Sequence, residues 1–165
     1  MPDTPETGGV HAMRRLDWNQ FGELCERFAD EIAAGYRPDV VVGIAMGGVI
    51  VGAVIAARLK VDFFPIKLSR RVMAEVVQEE PVFHIKPYAY CEGKRVLLAD
   101  DFAHSGQTLR IAGRAIGMFN PIDVKTAALY RDEAGYKPDF CAVSSDARLL
   151  LPWDYSGGAA PEGGE

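Results

Sequence analysis

The sequence predicts an α/β protein: a parallel sheet carrying helices on both faces. Three observations lead there. Val40-Val41-Val42-Gly43-Ile44 and Val96-Leu97-Leu98-Ala99 are continuous apolar runs, the pattern of strands buried on both faces. Each run ends in a loop and is followed by a segment with helical character, so strands alternate with helices. At 165 residues, with 48% apolar and 25% charged residues, the chain has the size and composition of one globular domain.

The elements follow in order. Residues 1–15 read as a polar, disordered lead-in, residues 16–155 as the folded domain, and residues 156–165, rich in Gly, Pro and Glu, as a flexible tail. Trp18, Phe21, Leu24, Cys25, Phe28 and Ile32 recur at three-to-four spacing, which predicts a helix over 18–34. Asp17, with Gln20 three residues on, is a capping-box pattern at its start. Gly35 and Pro38 end it. The strand 40–44 comes next, then the tight loop Ala45-Met46-Gly47-Gly48, then a helix over 49–59 whose small residues suit close packing on a sheet. Residues 61–68 read as a strand. Residues 69–92 are irregular, with a hairpin expected around 81–89 and the rest a mobile flap. A strand over 96–99, a helix over 109–118 and a strand over 124–130 complete the core, with further edge strands at 141–143 and 148–151.

Composition excludes several classes. A net charge of −5 and a pI near 5.2 argue against a nucleic-acid partner. No run of about 18 apolar residues exists, so no membrane span is expected. Cys25, Cys91 and Cys141 are scattered and odd in number. They form neither a metal spacing nor a disulfide framework, which fits a cytoplasmic protein.

The chemistry concentrates in Asp100-Asp101-Phe102-Ala103-His104-Ser105-Gly106-Gln107-Thr108. A buried strand delivers two carboxylates to a sheet edge, and a Ser-Gly-x-Thr loop then opens a helix. Free N–H groups at a helix start favour phosphate, and carboxylates accept hydrogen bonds from sugar hydroxyls. Acids beside a phosphate cradle point to a sugar phosphate. In parallel sheets ligands bind at the carboxyl ends of strands, where three loops converge: 45–48, 69 onward and 100–108. An ordinary parallel strand ending in Asp-Asp, or a receiver domain, is the competing reading. Receiver domains gather their acids after the first strand, however, not late in the chain.

VLLA-DD-FAH-SGQT, Val96 to Thr108, resembles the 5-phosphoribosyl-1-pyrophosphate (PRPP) motif of type I phosphoribosyltransferases. The segments Leu129-Tyr130-Arg131, Tyr136-Lys137-Pro138-Asp139-Phe140 and Leu151-Pro152-Trp153-Asp154 resemble the hypoxanthine and xanthine-guanine subgroup, the likeness covering roughly 18–154. The resemblance implies that family's α/β fold, with a small hood and flexible-loop region, and PRPP-dependent transfer to a nucleobase, a 6-oxopurine first, giving a nucleoside monophosphate and pyrophosphate. It also implies Mg²⁺ and a homodimer or homotetramer. Ala103, His104, Ser105, Gly106, Gln107 and Thr108 would hold the 5′-phosphate. Asp100 and Asp101 would bind the ribose hydroxyls, directly or through the metal. Ala45, Met46, Gly47 and Gly48 would face the pyrophosphate, with a cis peptide between Ala45 and Met46.

Four positions depart from the subgroup. Met46 stands where Arg or Lys is usual, and Arg70 and Arg71 either replace that charge or form a solvated basic turn. His104 stands where Asp assists proton transfer, and either moves that proton itself, with an ordinary pKa near 6.5, or is a bystander on the loop. Arg131 stands near a Lys that reads the purine 6-oxo group. Arg148, beside Leu149, replaces a stacking aromatic and either stacks on the base or pairs outward. Trp153 is expected in the core or at a subunit interface. An altered base end beside an intact phosphate site keeps two alternatives open: a non-catalytic nucleotide-binding regulator, or transfer to a different base.

Overall fold

The computed structural model describes residues 13–68 and 88–154. Their elements are β1 Met13–Arg15, α1 Trp18–Gly35, β2 Val40–Ile44, α2 Gly47–Leu59, β3 Asp62–Ile66, the single turn α3 Tyr88–Cys91, β4 Arg95–Ala103, α4 Gln107–Gly117, β5 Asp123–Arg131, β6 Phe140–Ser144 and β7 Arg148–Leu150.

Five strands form one all-parallel sheet in the order β3-β2-β4-β5-β6. The α/β class and the helices on both faces are as the apolar runs predict. On one face Val41, Leu97, Ala99, Ala127 and Leu129 pack with Phe21, Phe28 and Ile32 of α1 and Val51 and Ile55 of α2. On the other, Val40, Val42, Val96, Leu98 and Ala128 pack with Leu109, Ala112 and Ile116 of α4. Successive strand residues alternate between the two clusters because side chains alternate across a pleated strand. Among the described residues no helix is long and apolar enough to cross a membrane.

Local chemistry explains the boundaries. The Asp17 carboxylate accepts the Gln20 N–H at 2.8 Å, and the Gln20 side chain accepts the Asp17 N–H at 3.0 Å, so the expected capping box starts α1. Asp39 staples the entry of β2 to that of β4. Its carboxylate accepts the Arg95 backbone N–H and guanidinium, each at 2.8 Å, and its own N–H donates to the Arg95 carbonyl at 2.8 Å. Those bonds hold the Asp39 carboxyl down at about 2. Pro65 is tolerated in β3 because β3 is an edge strand.

Three expectations are revised. Met13–Arg15, read as lead-in, form a strand. They pair in parallel with Arg148–Leu150 in a separate two-stranded sheet, so 148–151 is not an edge of the main sheet. Of the hairpin expected at 81–89, residues 81–87 lie outside the described residues, and Tyr88 and Ala89 are helical. The strand expected to stop at Ala99 continues to Ala103. Its pairing with β2 ends at Gly43–Ala99, while its pairing with β5 continues to Ala103–Arg131.

Trp153 is partly buried against the α1-side core. Its ring meets Phe21 edge-on, with centroids 5.1 Å apart, and lies 6.0 Å from Trp18.

Candidate active site

From β2 the chain passes outward to β3 in one direction. From β4 it passes to β5 and β6 in the other. The carboxyl ends of β2 and β4 are therefore the switch point of the sheet, the place where a parallel sheet opens a crevice. The 45–48 loop and Asp100-Asp101 leave the sheet there.

The two loops touch. A Cβ on Gly47 would lie 1.8 Å from Asp101 Oδ2, and one on Gly48 would lie 2.6 Å from the Ala99 carbonyl and 2.9 Å from Asp100 Cα. Only glycines let α2 start this close to β4. The Ala45–Met46 peptide is cis, as the resemblance implied. Met46 is 81% exposed, so its side chain is presented to solvent and to whatever enters.

Asp100 is the one buried charged residue among those described. Its Oδ1 accepts the Asp101 N–H at 3.0 Å. Burial first, then the neighbouring Asp101 carboxylate, pushes its carboxyl far above the usual range. A carboxyl so placed is poised to exchange its proton for a hydroxyl donor or a cation.

The loop 103–108 turns on Gly106, at φ 71°. A Cβ there would meet the Tyr136 ring at 2.1 Å. Arg110 covers that ring, its Cζ 4.8 Å from the centroid. The Tyr136 N–H donates to the His104 carbonyl at 2.9 Å, and the His104 imidazole pairs with the Asp132 carboxylate. The turn 132–136 thus backs the loop. Residues 103–108 line a small cavity of about 150 Å³ at the start of α4.

Thr108, Asp100 and Phe102 connect it to a cavity of about 920 Å³, which Ala45, Met46, Gly47, Asp101, Tyr130, Arg148 and Leu149 also line. Phe102 is 41% exposed. Its ring stacks on Tyr130 with centroids 5.0 Å apart and planes 15° apart. Asp132, Asp146 and Asp154 add carboxylates to this cavity, and Arg148 is its one guanidinium among the described residues. Asp154 is held in place by the Leu151 N–H, which donates to it at 2.8 Å.

Most of the predicted residues therefore converge: Ala45, Met46, Gly47, Asp100, Asp101, Thr108, Arg148 and Leu149 on the large cavity, and Ala103, His104, Ser105, Gly106 and Gln107 on the small one. Gly48 and Arg131 line neither cavity, and His104 lines only the small one. Gly48 lies behind the wall, against Ala99 and Asp100. His104 stays on the small-cavity side, reaching the large cavity only through its partner Asp132. Arg131 turns away and donates to the carbonyls of Asp132 and Glu133, each at 2.9 Å. Arg70 and Arg71 lie outside the described residues. Sequence reasoning missed Phe102, Tyr130, Asp132, Asp146 and Asp154. For Phe102 a signal was present: a large aromatic directly after the acidic pair.

The family described as phosphoribosyl transferase domain matches residues 15–159. An adenine phosphoribosyltransferase of Wolinella succinogenes is 34% identical over 109 residues, 61% of this chain and 59% of that protein. One of Campylobacter concisus is 33% identical over 112 residues, 61% of this chain and 62% of that protein. The chain thus spans about three-fifths of the length of the curated relatives it matches. A purine phosphoribosyltransferase of Pyrococcus horikoshii superposes with a TM-score of 0.72 at 22% identity, covering 93% of this chain and 99% of its own. A Neisseria gonorrhoeae protein with bound ppGpp superposes with a TM-score of 0.70 at 19% identity, covering 90% and 93%.

Proposed function

The chain belongs to the phosphoribosyltransferase family, and on that premise we propose that it transfers the 5-phosphoribosyl group of PRPP to a purine. The purine nitrogen attacks C1 of PRPP, the C1–O bond to pyrophosphate breaks, and a nucleoside 5′-monophosphate forms. One observation carries the reading: the buried Asp100, the Asp101 carboxylate over Gly47, and the Gly106 loop at a helix start all open onto connected cavities at the switch point of the sheet.

Each subsite has a role. Backbone N–H groups of 105–108 hold the 5′-phosphate. Asp100 and Asp101 accept the ribose hydroxyls. The 45–48 loop orients the pyrophosphate, so that attack and departure lie in line. Phe102, whose ring stacks on Tyr130 and lies near-parallel to the His104 ring at 6.3 Å, is 41% exposed and offers an aromatic platform to the base. His104 serves the base through Asp132, taking up the proton that the purine loses. Among the described residues no group of three ligating side chains is close enough to hold a metal alone. The carboxylates do fit Mg²⁺ carried in on PRPP, since Mg²⁺ typically uses one or two carboxylates together with substrate phosphates. When bound, it would neutralise the leaving pyrophosphate.

For the base, a 6-oxopurine is the first choice. Arg148 is the guanidinium that lines the cavity and can donate to a carbonyl, while Asp132 and Asp146 accept N–H groups. The relatives of about one-third identity carry adenine names, so adenine is the rival. The assay is pyrophosphate release with PRPP, Mg²⁺ and, in turn, hypoxanthine, guanine, xanthine and adenine. Turnover fastest with an oxopurine is expected, and Arg148→Ala should weaken that preference. Turnover with adenine alone overturns the base assignment. The structure holding ppGpp motivates a second reading, nucleotide binding without transfer. It wins if no base reacts and a guanine nucleotide still binds tightly.

A further inference from the structure

A second concavity, of about 510 Å³, lies behind the base end of the large cavity. One wall is a face of α1: Gln20, Glu23, Leu24 and Arg27, at the helical spacing that puts residues on one side. Arg14 of β1 and Leu16 just beyond it, with Ser144 and Ser145 at the end of β6, close it. Its volume is that of a small-molecule site.

Its charge is opposite to that of the large cavity. Its lining carries the two guanidiniums of Arg14 and Arg27 and the single carboxylate of Glu23, and neither guanidinium pairs with a carboxylate among the described residues. The large cavity sets Asp100, Asp101, Asp132, Asp146 and Asp154 against Arg148. In a chain of net charge −5, a net-positive hollow with serine hydroxyls and leucine side chains is built for an anion with an apolar body.

The two cavities share a thin wall. Tyr130 and Leu149 line both. Along the strip that runs from the end of β6 into β7, Asp146 and Arg148 line the large cavity, while Ser145 and Ala147 line the second. The Tyr130 hydroxyl pins this strip, lying 2.8 Å and 2.7 Å from the carbonyls of Ser145 and Ala147. A group seated against Ser145 therefore presses on the backbone that carries Asp146 and Arg148.

We infer that the second cavity binds a small organic carboxylate or phosphate through Arg14 and Arg27, and that its occupancy is felt at the base end through residues 145–149. The test is amide-resolved NMR of the full chain, titrated with benzoate and, separately, with phenylphosphonate. Saturable shifts are expected at Gln20, Arg27 and Ser145, and also at Asp146 across the wall. The probe that saturates at lower concentration identifies the anion. Arg14→Gln with Arg27→Gln should weaken that binding at least tenfold while shifts at Ser105 to Thr108, if a probe causes them, persist. Arg27→Gln alone serves the same purpose if the double variant fails to fold. The inference is overturned if neither probe shifts these amides saturably, if shifts are confined to 105–108, or if the variants bind as the parent does. It also fails if sedimentation shows a dimer that shields amides 20–27, since the hollow is then a contact between copies.

Discussion

Gly106→Ala separates two costs that the structure superimposes at one atom. The backbone there has φ 71°, a left-handed conformation that costs a residue with a Cβ roughly 1–2 kcal/mol. The added Cβ would also meet Tyr136 Cγ at 2.1 Å. The ring must move, since real contacts are never so short. It is held by the Tyr136 N–H bond to His104 at 2.9 Å and by Arg110 at 4.8 Å. Forcing extra volume into such a seat costs about 1–3 kcal/mol. Gly106→Ala in the parent should therefore cost roughly 2–5 kcal/mol. In a Tyr136→Gly background, which also removes the Tyr136 Cβ that would otherwise stand 2.6 Å from the new methyl, the steric part vanishes and roughly 1–2 kcal/mol should remain. Urea unfolding of the four proteins of this double-mutant cycle measures the difference, a coupling of about 1–3 kcal/mol. If the cost of Gly106→Ala is the same in both backgrounds, within about 0.5 kcal/mol, the ring does not set the loop and the account of the phosphate seat is wrong.

Three further outcomes are expected. Asp100→Asn should stabilise the empty protein at pH 8 and weaken PRPP binding, by roughly 1.5–3 kcal/mol for a charged hydrogen bond to ribose. The sign follows from the raised native pKa: between about pH 4 and that raised value the native state binds more protons than the unfolded chain, so the parent loses stability as pH rises and the variant does not. Thermal melts at pH 5 and 8 with calorimetry of PRPP check both halves. Asp39→Ala should cost on the order of 1 kcal/mol, since the pair is over one-third exposed and solvent screens it. The carboxyl sits at about 2, so this contribution is present above about pH 4 and fades as pH falls toward 2; acid titration of parent and variant should converge there. Phe102→Ala should raise KM for the base by roughly 5- to 150-fold, the value of an aromatic stacking platform at about 1–3 kcal/mol, with KM for PRPP little changed. An equal rise in both would place Phe102 outside the base subsite.

The parts of the site legible in the sequence are those that local chemistry determines. An apolar run ending in Asp100-Asp101, then Ser105-Gly106-Gln107-Thr108 at a helix start, states its strand, its turn and its donors within one stretch of chain. Gly47 and Gly48 likewise announce a close approach, though not what approaches. What stayed hidden depends on pairing across the sheet. Arg131 stands near the position of a Lys that reads the purine 6-oxo group in the resembled subgroup, yet of the neighbours Tyr130 and Arg131 it is Tyr130 that lines the cavity. The two differ by one position, and one position along a strand exchanges the faces of a sheet. Register decides the matter: Tyr130 lies opposite Phe102, and Arg131 opposite Ala103. That register exists only because β4 runs past its β2 partner at Ala99 and keeps pairing with β5. A run of carboxylates looks like the end of a strand when it is read alone, since two acids are poor material for a buried ladder. Here the second partner strand keeps the ladder going, and it carries Phe102 and Tyr130 out together as a stacked pair. The same reasoning covers Met13–Arg15. Their polarity reads as a tail, and only the arrival of Arg148–Leu150 alongside makes them a strand. The second cavity depends on that pairing too, because Arg14 reaches it from β1 and Leu149 from β7. Charge reversal across a wall as thin as residues 145–149 is therefore a property of the assembled edges of the fold, and it arises where local sequence signals are weakest.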